Sequence, residues 1–227
     1  MSSRMLYRLS GGTLIAASLL SIVNSILSNV LYPNPNLTPQ QYMSLPWLLV
    51  TLVIVIGSLL FVIGLPGMYL RQAGRAGVLG LVGFILVFFG SLLAGAFFTL
   101  RVTVFPLLAQ VAPKLLEGEI LPGGMFLLLL VFSLLDMIGA ILLGIATLRA
   151  HVFPRWTGVL LIIAGIGMGL TFVFPPSTLL TPGAIIETVS SIAFDAAFIW
   201  CGYVLIAGGR GTVEAVPSPM TEAQASR

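Results

Sequence analysis

Six uninterrupted apolar runs, each of the roughly 18 to 25 residues that an α-helix needs to cross hydrocarbon, constrain this chain more than any other feature. They cover about 11–31, 45–69, 77–100, 124–148, 156–174 and 183–207, with Pro, Gly or charge at their ends. Hydrophobic residues make up 58% of the chain and charged residues 7%, a balance whose surface water could not keep in solution. The expected fold is therefore all-α: a polytopic membrane protein built as a single bundle of six transmembrane helices over 1–207. Arg4 and Arg8 precede the first run as they would in a signal peptide. No small-x-small cleavage site follows, and the run is long enough to span, so it is expected to stay as a helix.

Lys and Arg are retained on the cytoplasmic side of membrane helices. With six spans, Arg4, Arg8, Arg71, Arg75, Arg149, Arg155, Arg210 and Arg227 fall on one side, against Arg101 and Lys114 on the other. Both termini are expected in the cytoplasm. The net charge of +3 is scattered in short clusters, so it reads as topology information and not as a surface for nucleic acid. The polar tail over 208–227 cannot bury enough surface to offset its chain entropy and is expected to be disordered.

The outer loop YPNPNLTPQQYMSLP, with its prolines, reads as an extended cap. After Arg101, residues Val104, Leu107, Leu108, Val111 and Leu115 recur at helical spacing opposite Gln110, Lys114 and Glu117. Two readings fit: an amphipathic segment lying in the interface, bent by Pro106 and Pro113, or an irregular extension of the third span. LRQAGRAGVLGLVG from Leu70 and LRAHVFPRWTGVLLIIAG from Leu148 share LR, a basic turn and a GVL opening. A parallel repeat of hairpins and chance likeness between apolar segments both account for this, and three hairpin-like units follow if the sixth span pairs with the first.

Polar groups within the spans carry the functional expectations. Asp136 and Asp195 lie near the middle of the fourth and sixth spans, which run in the same direction, so both belong near the midplane. An acid there costs about 2.5 to 3.5 kcal/mol on insertion scales, which turns it toward the bundle interior. No Lys or Arg lies within a span to pair with either, so burial favours the neutral acid, and at least one of the two is expected to carry a proton at neutral pH. Glu187, Ser191 and Asp195 follow at i, i+4, i+8 and make a polar track, with Glu187 about 12 Å nearer the outer surface by helical rise. Arg101 is the basic residue placed to pair with Glu187, in competition with Glu117 and Glu119. On the first span Ser18, Ser21, Ser25, Ser28 and Asn29 share one face, with Asn24 beside it. Turned inward, that face completes a polar patch between spans one, four and six. Interhelical glue remains the alternative for the serines.

Much chemistry is excluded. His151, the sole histidine, sits in a turn away from the acids, and Cys201 has no mate, so no metal site or disulfide is expected. GxSxG, HExxH and Walker motifs do not occur. The GIGMG of the fifth span lies inside an apolar run and reads as close packing; no cofactor is implied.

YRLSGGTLIAASLLSIVNSIL and the turn VFPRWTGVLLIIAGIG resemble a group of uncharacterised bacterial six-span membrane proteins, in which a PRW-type turn opens the penultimate helix. The resemblance covers roughly 7–207 and implies the bacterial cytoplasmic membrane, but no activity. Three functions stay open on the residues. The first is a non-enzymatic binder of a small apolar or lipid-like ligand, or of a partner membrane protein, through the polar patch. The second is a proton-coupled carrier using Asp136 or Asp195, and the third an enzyme acting on lipids or isoprenoids.

Overall fold

A computed structural model describes residues 3–32, 37–116, 123–174 and 181–208. Among them all regular structure is helical, in the order α1 (Ser3–Leu31), α2 (Pro39–Tyr42), α3 (Leu45–Val111), a 3-10 turn (Pro113–Leu115), α4 (Gly123–Ala150), α5 (Arg155–Val173) and α6 (Pro182–Ala207). Five of these helices are long and apolar enough to cross a membrane, so the architecture is that of a multi-pass membrane protein. The tail expected to be disordered, from residue 209, lies outside the described residues.

As one rod, the 67 residues of α3 would reach about 100 Å, three times the hydrocarbon thickness. The helix instead breaks at Gly77, whose φ of 59° and ψ of −163° fall in a region that is essentially glycine's alone. The arms 45–76 and 78–111 then fold back on one another. Tyr69 stacks on Phe84 with centroids 4.6 Å apart, and a Cβ at Gly95 would lie 2.9 Å from the Ser58 hydroxyl. Each pair straddles the break to within one residue of symmetry, the mark of an antiparallel hairpin.

The remaining helices pack through glycine, as expected where lipid is as apolar as the side chains and only close approach rewards association. Gly57, Gly64 and Gly67 of the first arm meet α1 at Ala17, Leu14 and Ser10. Gly83 and Gly90 of the second arm meet α4 at Leu143 and Asp136, Gly144 meets Gly158 of α5, and Gly167 meets Ser190 of α6. Gly202 of α6 returns to Gly11 of α1. The helices therefore form a closed ring in chain order, each neighbour antiparallel. An even number of rods allows this, because only then do the first and last also run in opposite directions.

The two turns of the repeat both close antiparallel hairpins, and α6 packs against α1, as three hairpin units require; the turns differ in detail. Both turns have one residue at positive φ, Gly77 and His151, and Ala76 packs with Ala146 and Ala150 between them. Yet Gly77 stands six residues after Arg71 whereas His151 stands two after Arg149, so the shared letters occupy different positions. Several helices also outrun the apolar runs, because a helix satisfies its own backbone whether or not lipid surrounds it.

The two ends of the bundle differ. Tyr7 lies under the Arg71 guanidinium at 5.7 Å, and a Cβ at Gly208 would lie 3.0 Å from Arg71, which brings the start of α1 and the end of α6 to the end holding both tight turns. At the opposite end Leu37, Trp47, Phe97, Phe105 and Met125 form a second core. The cap there is not simply extended: Thr38 donates its N–H to Gln41 Oε1 at 2.7 Å, closing the single turn of α2 on Pro39. Residues 101–111 continue the helix straight through Pro106, and the chain leaves it only at Ala112, before Pro113. The segment thus extends the third span, but as regular helix and not in the irregular form expected.

Candidate functional site

Asp136 and Asp195 each stand thirteen residues from the first residue of their helices, and alternate members of the ring run parallel, so the two acids share one depth. Both line a single cavity of about 130 Å³ whose walls come from α1, both arms of α3, α4 and α6. Asp195 is 6% exposed; Asp136 is half-buried. Each acid has its own serine. Ser91 donates to Asp136 Oδ1 at 3.5 Å, the long limit of such a bond, and Ser21 stands with Asp195 in the same cavity wall.

The cavity is closed on one side by packing. Phe61 and Phe194, 5.6 Å apart, form part of its wall and both meet Phe198 behind them. Leu14, Leu65, Met68 and Leu205, each no more than 2% exposed, belong to the same core. Ring packing of this kind fills the half toward the tight turns.

A second cavity, of about 480 Å³, lies on the other side of Asp136 and Phe98, which belong to both walls. Glu187, Ser190, Ser191 and Arg101 bring polar atoms to it, while Phe97, Leu129, Phe132, Met168 and Phe172 supply apolar surface. Ser190 is spent on its own helix, donating to the Ile186 carbonyl. The polar track along α6 thus splits: Glu187 and Ser191 face the outer cavity and Asp195 the inner one.

The ion pair expected between Arg101 and Glu187 is not formed. Both line the outer cavity, but the guanidinium carbon of Arg101 sits 4.8 Å from the Trp47 ring centre, 5.6 Å from Phe105 and 5.9 Å from Phe97. Rings attract a cation through their faces and here take the place of a carboxylate. The competing Glu117 and Glu119 lie outside the described residues.

The first-span face turns inward only in part. Ser18, Ser25 and Asn29 share one side of α1, yet Ser18 is buried whereas Ser25 and Asn29 are exposed. The difference therefore lies along the helix and not around it, since the close contacts with the glycines of the first arm involve Ser10 to Leu20. Ser21 reaches the inner cavity; Ser25 and Asn24 are absent from the walls of both cavities, although Asn24 Oδ1 is buried without a partner. The polar patch is also wider than spans one, four and six, because Ser58 and Ser91 from the two arms of α3 line the inner cavity. Nothing in their spacing sets these hydroxyls apart from packing serines. Gly90, beside Ser91, was the available signal: a Cβ there would collide with the Asp136 carboxylate.

Among the described residues no cluster of His, Cys, Asp and Glu could hold a metal ion. The GIGMG segment packs tightly, Gly165 against Ile141 and Gly167 against Ser190. No family model, curated protein or solved structure matches the chain.

Proposed function

We propose that this chain is a six-span protein of the bacterial cytoplasmic membrane, with both termini in the cytoplasm, that binds a small apolar or lipid-like molecule between its helices without transforming it. The observation that carries the reading is the outer cavity. Its volume of about 480 Å³ is in the range of sites that enclose small organic ligands, and it combines apolar walls with a few polar groups. A recess of this size with polar groups along one wall suits a small molecule better than a partner protein, which buries a broader and flatter surface.

Native mass spectrometry of the protein extracted gently from its own membrane should show a bound small molecule. The adduct should be lost in Ser133→Phe, which fills the outer cavity. Retention of the same adduct by a folded Ser133→Phe variant would sink the reading.

Orientation has a separate check. Lys114 is exposed at the end opposite the two tight turns, and the only native cysteine, Cys201, is fully buried. A cysteine at Lys114 should react with a membrane-impermeant maleimide from outside intact cells, while a reporter fused after Arg227 works only in the cytoplasm. Labelling of Lys114→Cys solely after lysis would reverse the topology.

A second reading, a proton-coupled carrier, is favoured by one feature: two acids at equal depth in one cavity, with serines in its wall. It requires pH-driven uptake in proteoliposomes that vanishes in Asp136→Asn or Asp195→Asn. The binder predicts retention of the ligand with no such flux.

A further inference from the structure

Arg101 is an unusual wall for an apolar chamber. Its Nε is buried without a hydrogen-bond partner, and among the described residues no carboxylate lies within ion-pair distance of it. Tyr42 packs against Trp47 and Phe105 in the same cluster and cannot supply the missing anion. Burial raises the Tyr42 phenol above its ordinary pKa, and the nearby Arg101 charge offsets this only in part, so the phenol stays neutral at physiological pH. The three rings around Arg101 hold its cationic face but accept none of its N–H groups. A guanidinium carries five donors in a planar fork that matches a carboxylate. Among the described residues lining the outer cavity, Arg101 is the one cation. One cation matches one negative charge, which fits a carboxylate better than a phosphate dianion.

Across the same cavity the walls are aliphatic and aromatic: Phe98, Leu129, Phe132, Met168 and Phe172. Resting on the binder reading above, we propose that the ligand of the outer cavity is a single-chain amphiphile with a carboxylate head, the head held by Arg101 and the chain lying against Phe98, Phe132 and Met168. Glu187 stands in the same chamber and sets the selectivity. In its ionised form its carboxylate repels an anion, which disfavours the head everywhere in the chamber except beside Arg101.

Three ligands with one chain and different heads test this: decanoate, decanol and decylamine, bound to the full-length protein in lipid nanodiscs. Binding is read by native mass spectrometry, with Ser133→Phe as the measure of partition into lipid. Decanoate should bind about tenfold more tightly than decanol, the scale expected of one charge-assisted hydrogen-bonded pair. Arg101→Gln should remove that advantage and leave decanol unchanged, Arg101→Lys should keep part of it, and Glu187→Gln should strengthen decanoate. Equal binding of decanoate and decanol to the wild type overturns the carboxylate assignment while leaving a binder, and so does preferential decylamine binding that Glu187→Gln abolishes. If none of the three binds above the Ser133→Phe level, both this assignment and the binder reading fail. The headgroup comparison on the unmodified protein decides the matter even if Arg101→Gln does not fold.

Discussion

Gly11→Val should lower stability by about 3 kcal/mol, the upper end of the cost of overpacking, while Gly12→Val one residue away stays within about 0.5 kcal/mol of the parent. Gly11 and Gly202 close the ring of helices by backbone contact. A Cβ at Gly11 would stand 2.5 Å from the Gly202 carbonyl oxygen, and a Cβ at Gly202 would stand 2.6 Å from that of Gly11. A flexible side chain could yield to such a clash; two backbones cannot without separating α1 from α6. Gly12 is exposed and has nothing within 4 Å of its would-be Cβ, so the same substitution there tests helix propensity alone. Thermal unfolding of both variants in the same nanodisc preparation is the measurement. Equal losses would show that the α1–α6 seam does not hold the ring.

At Gly90 the expected loss is of site as well as stability. A Cβ there would meet the Asp136 carboxylate, with its Cγ at 2.8 Å, and the Asp136 backbone N at 3.0 Å. Gly90→Val should therefore drive α4 away from the second arm of α3, break the Ser91 bond to Asp136 and abolish ligand binding in the outer cavity that Asp136 helps to wall. The smaller Gly90→Ala separates the causes. Combined with Asp136→Ala it should recover part of its lost stability, a coupling of about 1 to 3 kcal/mol, because the carboxylate half of the collision is gone. The backbone half remains, so recovery is incomplete. Strict additivity of the two substitutions would mean that Gly90 and Asp136 do not touch.

The inward placement of the acids illustrates what can be read from letters. Asp136 and Asp195 are central in long apolar runs, and the cost of a carboxyl group in lipid leaves the bundle interior as their place. The same reasoning stops at Arg101. Its distance from Glu187 in the folded chain is set by the hairpin at Gly77, which brings Trp47 beside the end of the second arm and offers three rings where a carboxylate was expected. Ser25 and Ser18 fail to separate for a similar reason: a helical wheel reports angle, whereas the two differ in how far along α1 the neighbours follow.

By itself the sequence determined that the chain is helical and multi-pass, because a bilayer demands runs of a set length and leaves no backbone group unpaired. It also singled out the titratable side chains that could matter within those runs. Only the tertiary structure decided that the helices close into a ring through Gly11 and Gly202, that Ser58 and Ser91 join the acids, and that Asp136 divides two cavities. The physical reason is that helices apolar on every side carry no hydrophobic signal for which side meets a neighbour. That choice falls to the close approach of small residues, and it exists only once both partners are in place.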